Sequence, residues 1–84
     1  MNKDQLKNTP WAADFKADSP SAFDEALTLL TTPGAACKIY ETTDSGPTLW
    51  VLDSIASPGF WFGARDNKEG AVQLAKSICL AVVD

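Results

Sequence analysis

The side chains that most often carry catalysis or bind metals are scarce in this sequence. The chain has no histidine, which excludes a serine–histidine–aspartate triad, a histidine general base and a histidine metal ligand. Its two cysteines, Cys37 and Cys79, lie too far apart to show the paired spacing of a zinc site. The glycines Gly59, Gly63 and Gly70 fit neither a dinucleotide-binding nor a Walker phosphate loop. We therefore expect no enzymatic activity, no cofactor and no bound metal.

Carboxylates are the remaining groups that can do acid–base chemistry. Asp14 and Asp18 are four residues apart on a predicted helix, and Asp24 and Glu25 are adjacent on the next one. Each pair falls on the presumed polar side of its helix, which favours a solvated surface over a catalytic site. Because few bases lie near them in the sequence, these four acids can also steer the approach of a basic partner.

The composition is that of one folded domain. Hydrophobic residues make up 45% of the chain, and three Trp, four Phe and one Tyr can fill a core. A chain of 84 residues has room for a single core, so we predict one domain, with a helical arm at 1–18 and a core at 19–84. Eleven acidic and seven basic residues give a net charge of −4, which disfavours binding to phosphate backbones and anionic membranes.

The sequence shows no targeting signal. The residues after Met1 lack the apolar segment of a signal peptide, and no apolar run reaches membrane-spanning length. We therefore expect a cytoplasmic protein whose cysteines are reduced and buried, with a disulfide between them as the alternative under oxidising conditions.

Local start signals predict the helices. Four positions in the sequence combine a residue that can cap a helix with residues that favour the first helical turn. Three of them lie in the first 20 residues, and the fourth lies just after the third strand pattern. The apolar spacing of Phe23, Ala26, Leu27 and Leu30 supports the third helix. The predicted starts are Asn2, Thr9 with Pro10, Ser19 with Pro20, and Asp66 with Glu69 as its partner in a capping box.

Three strand patterns separated by turn residues fill the middle of the chain. They cover residues 36–43, 48–55 and 60–65, and the turns at 44–46 and 57–59 are short enough for hairpins. Residues 80–83 are either a last helical turn or a short fourth strand, and the two valines favour the strand. We predict an α+β fold: a three-stranded antiparallel meander, with a short fourth strand at 80–83, and with N-terminal helices and one C-terminal helix on one face.

Alternation along the strands predicts an unusual second face of the sheet. We expect the helices to cover Cys37, Ile39, Leu49, Val51, Ile55, Phe60 and Phe62. The opposite face then carries Lys38, Tyr40, Trp50, Leu52 and Trp61. Three aromatic residues on an exposed face need a cover or a partner, and either the N-terminal arm or the tail at 82–83 can serve as the cover. Asp53 interrupts the apolar residues of the middle strand, at 48–55. We expect Asp53 to pair with Lys38 or Arg65, or to mark the end of that strand.

These observations favour a protein that works by binding another protein. Tyr and Trp are enriched at the centre of protein interfaces, so Tyr40, Trp50 and Trp61 are the expected anchors, with Leu52 and Lys38 beside them. A small acidic inhibitor, antidote or adaptor of bacterial or phage origin fits this pattern, as does a homodimer. One alternative is a nucleic-acid or nucleotide binder that stacks bases on the aromatic face, and another is an enzyme with a carboxylate base.

Overall fold

The computed structural model describes residues 1–44 and 46–83 as an α+β fold. The N-terminal helices are α1 (Lys3–Lys7), α2 (Pro10–Asp18) and α3 (Phe23–Thr31), with a 3-10 turn at Pro20–Ala22 before α3. The remaining elements are β1 (Ala36–Thr42), β2 (Leu49–Ser54), β3 (Trp61–Arg65), α4 (Lys68–Ser77) and β4 (Ala81–Val82). The predicted meander, the fourth strand and the helices on both sides of the meander in sequence are confirmed.

Side-chain caps set the first two helix starts. The Asn2 side chain accepts a hydrogen bond from the Gln5 N–H, and the Gln5 side chain accepts one from the Asn2 N–H, both at 2.8 Å. This reciprocal pair satisfies two amide groups that the helix leaves without a partner. Thr9 caps α2, and Pro10 occupies its first position, where a missing N–H costs nothing.

The other two helix starts differ from the prediction. Ser19 makes no side-chain capping bond, and the 3-10 turn separates it from α3. At α4 the cap is Asn67, whose Oδ1 accepts a hydrogen bond at 2.7 Å from the N–H three residues later. The predicted capping box of Asp66 and Glu69 is therefore wrong. Asn67 holds the extended backbone of a capping residue, and an amide oxygen caps as well as a carboxylate does.

The sheet has the order β3-β2-β1-β4. Both β1–β2 and β2–β3 pair antiparallel, as a meander requires, whereas β4 runs parallel to β1 and covers only Ala36 and Cys37. The turns use glycine where the backbone needs a positive φ: Gly46 has a φ of 102° and Gly59 a φ of 92°. Ser45, in the first predicted turn, lies outside the described residues.

All four helices pack on one face of the sheet, but the register of β2 reverses its predicted faces. Directly opposed residues of an antiparallel pair share a face, and Leu52 lies opposite Ile39, which packs against the core. Leu52 is 0% exposed within the helix-packed core. Trp50 lies on the same face, half-buried, with the Lys68 ammonium 5.9 Å from its ring centre. The positions predicted for Trp50 and Leu52 are therefore wrong, and the residues that replace them on the other face are Leu49, Val51 and Ile55.

The N-terminal arm belongs to the helical layer. The Trp11 indole Nε1–H donates a buried hydrogen bond of 2.7 Å to the Phe62 carbonyl of β3. The Phe15 ring stacks on Phe60 at 6.2 Å between centroids, and Phe23 lies 5.9 Å from Trp11. The arm therefore packs on the helix side of the sheet and does not cover the opposite face. Within residues 1–44 and 46–83, no helix is long and apolar enough to cross a membrane.

Candidate functional site

The sheet face opposite the helices is the first candidate surface, and we call it the open face. Tyr40 is 38% exposed and Ile55 is 42% exposed, while Trp61 is half-buried. Val51 is 0% exposed, although it is not among the residues of the helix-packed core cluster. The side chains that make up the open face are Lys38, Tyr40, Leu49, Val51, Asp53, Ile55 and Trp61.

A β-bulge places Trp61 on this face. In the β2–β3 register, Leu52 faces Gly63 and Asp53 faces Trp61, so one residue of β3 is extra. The extra residue, Phe62, turns into the core at 1% exposed. Gly63 also faces the helices, since a Cβ built there would come within 2.6 Å of the Leu74 side chain. The bulge thereby lets Trp61 lie beside Asp53 on the open face.

A polar cluster holds the middle of the open face. The Tyr40 hydroxyl donates a hydrogen bond of 2.9 Å to Asp53 Oδ2, and the Gly59 N–H donates one of 2.9 Å to Asp53 Oδ1. The bond to Asp53 raises the pKa of Tyr40 above its ordinary value, and Trp61 partly offsets this shift. Asp53 is therefore held by a phenol and a backbone amide, and neither predicted ion pair, with Lys38 or Arg65, forms in the described part of the chain.

A groove between α2 and β3 borders the open face, and we call it the acidic groove. It encloses about 220 Å³, which is several times the volume of one water molecule. Arg65 Nη2 lies 3.8 Å from Asp14 Oδ2, a long contact between partly exposed side chains that adds little stability. Both aromatic and charged side chains line the groove. The aromatic ones are Trp11, Phe15 and Trp61, and the charged ones are Asp14, Asp18 and Arg65.

The structure brings together some of the predicted site residues and separates others. Trp61 lies on the open face and also lines the acidic groove, where it meets Asp14 and Asp18. Asp24 and Glu25 are exposed in the first turn of α3 and do not line the groove. Lys38 and Tyr40 lie on the open face as predicted, whereas Trp50 and Leu52 lie beneath the helices.

Sequence reasoning missed the groove itself. Its walls join α2 to β3 through the hydrogen bond between Trp11 and Phe62, which are 51 residues apart. No local sequence pattern predicts a contact between residues so far apart in the chain. The available signal is the residue type of Trp11 and Phe15, whose large apolar side chains favour burial but do not indicate what they contact.

The cysteines carry no site of their own. Cys37 is 0% exposed, and burial, together with the nearby charge of Asp53, raises the pKa of its thiol from 9.0 to about 11. Cys79 is exposed rather than buried as predicted, and both thiols are free. Among residues 1–44 and 46–83, no three side chains of the types that bind metals converge.

No protein-family model, curated protein or solved structure matches this chain. Trp61 lies where the open face and the acidic groove meet.

Proposed function

We propose that this chain is a non-enzymatic protein-interaction module that binds a basic protein through the open face and the acidic groove. The observation that supports this most directly is the position of Trp61. Its ring lies on the open face, beside apolar side chains such as Ile55, and also lines the groove that contains Asp14 and Asp18. A partner that fits would have an apolar patch bordered by lysine or arginine side chains.

The charge distribution supports a basic partner. Among the described residues that line the acidic groove, the acids Asp14 and Asp18 outnumber the one base, Arg65, and the whole chain carries a net charge of −4. A lysine or arginine of the partner can approach both carboxylates while its alkyl chain packs on the Trp61 ring. Asp24 and Glu25, which lie outside the groove, would raise the association rate rather than hold the complex.

This chemistry suits a small acidic inhibitor, antidote or adaptor that masks a basic surface of its partner. Bacteria and their phages encode proteins of this kind. A second copy of the chain fits less well at the groove, because two copies would bring the same carboxylates together. The open face alone is closer to neutral, with Lys38 opposite Asp53 in the register, so it does not oppose self-association. The oligomeric state should therefore be measured beside every binding experiment.

The test begins with capture of proteins by the tagged chain from a lysate of its native host, and then uses the purified partner. Trp61→Ala should weaken binding by about 30-fold or more, as expected for a central aromatic anchor. The pair Asp14→Asn with Asp18→Asn should slow association and raise the dissociation rate. The matched control is Asp4→Asn with Asp66→Asn, which changes the net charge equally at exposed positions outside the groove.

Circular dichroism and thermal melting must first show that each variant is folded. Equal affinity of wild type and a folded Trp61→Ala variant would overturn the proposal. So would capture of nucleic acid with a steep loss of binding as salt rises, because phosphate contacts release counterions. If no protein is captured, the interaction hypothesis fails in that host.

A further inference from the structure

The Arg65 side chain is held at the acidic groove by its own neighbours. Its Nη1 donates a hydrogen bond of 2.7 Å to the Ala64 carbonyl. Its alkyl stem lies against Gly70, where an added Cβ would come within 3.2 Å of the Arg65 Cβ. With the stem and one nitrogen held in this way, Nη2 lies 3.8 Å from Asp14 Oδ2, which is longer than a close charge-assisted hydrogen bond. Arg65 therefore neutralises Asp14 only weakly.

The α2 wall of the groove carries more negative charge than Arg65 balances. Asp14 and Asp18 are four residues apart, so their side chains are neighbours on one face of the helix. Asp18 is also the last residue of α2, where the carbonyl end of the helix adds partial negative charge. Within residues 1–44 and 46–83, Asp18 forms no salt bridge. A second cation at this wall would therefore be stabilised.

A guanidinium suits this wall better than an ammonium does. Its five N–H groups lie in one plane, so a single guanidinium can donate to two neighbouring carboxylates at once. The flat group also stacks on aromatic rings, and Trp61 lines the same groove as Asp14 and Asp18. An ammonium is a compact point charge and does not offer this planar fit. The chemistry of the groove therefore favours arginine over lysine.

We propose that the acidic groove binds an arginine side chain of the partner, and that Arg65 competes with this side chain for Asp14. The inference rests on the proposed function, because it names the group that the basic partner would insert. The incoming guanidinium would lie between Asp14 and Asp18, with its plane on the Trp61 ring. Arg65 would keep its bond to the Ala64 carbonyl and lose its contact with Asp14. Arg65 thus lowers the affinity of a site that it lines.

The test uses nuclear magnetic resonance on the 15N-labelled full chain with three small probes. The first is arginine, acetylated and amidated to remove its terminal charges. The second is citrulline blocked in the same way, which has nearly the same shape but no charge, and the third is blocked lysine. At millimolar concentrations, the arginine probe should shift the indole signal of Trp61 and leave that of Trp50, which does not line the groove, in place. Citrulline should cause no shift, and lysine should bind more weakly than arginine.

Three variants test the competition between the two cations. Arg65→Gln should strengthen binding of the arginine probe about two- to fivefold, because it removes the competing guanidinium. The matched control, Lys3→Gln, removes the same charge at an exposed position on α1 and should bind as wild type does. Asp14→Asn should weaken binding by a similar factor. When it is combined with Asp14→Asn, Arg65→Gln should bring no gain, since both cations compete for that carboxylate.

Circular dichroism must first show that each variant is folded. If Arg65→Gln is not, Arg65→Met, which keeps an unbranched stem against Gly70, takes its place. Three results would overturn the proposal. In the first, the arginine probe causes no shift, or citrulline or lysine binds as tightly as arginine does. In the second, Arg65→Gln strengthens binding no more than Lys3→Gln does. In the third, the gain from Arg65→Gln persists without the Asp14 carboxylate, which would show a general effect of net charge.

These results are distinct from those that test the proposed function. If binding of the captured partner depends on Trp61 but the arginine probe does not bind, the proposed function stands and the arginine site fails. If the arginine probe binds as expected but Trp61→Ala leaves the affinity for the partner unchanged, the proposed function fails while the arginine site in the groove remains.

Discussion

Replacing Cys79 with glycine should stabilise this protein, because Cys79 holds a backbone conformation that suits glycine. Cys79 follows the C-terminal end of α4 with a φ of +54°, and it is the one residue other than glycine with a positive φ in the described chain. Its N–H donates to the Lys76 carbonyl at 3.1 Å, and the next N–H, of Leu80, donates to the Ala75 carbonyl at 2.9 Å. These two bonds form a Schellman motif, in which glycine is the usual residue at this position.

The size of the effect follows from two opposing contributions. A side chain in the left-handed region costs about 1–2 kcal/mol, which glycine does not pay because it has no Cβ. Glycine loses about 0.5–1 kcal/mol more backbone entropy on folding. Since the Cys79 side chain is exposed, little packing is lost. At the midpoints of these two ranges, we expect Cys79→Gly to raise the free energy of unfolding by about 0.75 kcal/mol and the melting temperature by roughly 3–6 °C.

The assay is urea and thermal unfolding followed by circular dichroism, with a reducing agent present throughout. The control is Cys79→Ala, which removes the thiol but keeps the Cβ, and should leave the stability within about 0.5 kcal/mol of wild type. If alanine stabilises as much as glycine does, the gain comes from removing the thiol. If glycine gives no gain, the strain argument is wrong.

Three further predictions concern the core. Trp11→Phe should lower the free energy of unfolding by about 1–3 kcal/mol, because it leaves the buried Phe62 carbonyl without its hydrogen bond. Urea unfolding measures this loss, and a small or absent loss would mean that a water molecule replaces the indole N–H as the donor. Leu52→Ala should cost about 2–5 kcal/mol, whereas a cost under 1 kcal/mol would return Leu52 to the exposed face. The Cys37 thiol titrates at 9.0 when unfolded and at a pKa of about 11 when folded, so its contribution is complete below pH 9 and is lost as the pH rises through 11. Urea unfolding from pH 8 to 11 should therefore show a larger pH-dependent loss in wild type than in Cys37→Ala, by at most about 1.4 kcal/mol per pH unit, while the loss that comes from Tyr40 remains in both proteins.

Local chemistry in the sequence determined most of the secondary structure. Asn2 with Gln5 and Thr9 with Pro10 define helix starts through groups three residues apart or fewer, so no distant contact is needed. The turn residues between the strand patterns are likewise local, and they restrict the sheet to a meander. The α+β fold could be predicted because each of these signals acts within one or two turns of the chain.

Tertiary structure decided which surfaces are open. In β2 both alternating sets of side chains are apolar, so hydrophobicity does not choose between the set of Leu49 with Val51 and the set of Trp50 with Leu52. The pairing of Leu52 with Ile39 decides between the two sets, because it places Trp50 and Leu52 under the helices. A shift of one residue would have reversed it, because side chains alternate with a period of two.

The proposed binding surface depends on the same kind of long-range contact. The acidic groove forms where the Trp11 indole docks on the Phe62 carbonyl. The sequence determined that aromatic and acidic side chains would be present near the surface. Which of them share a surface was set by strand register and helix docking, since both depend on packing between residues far apart in the chain.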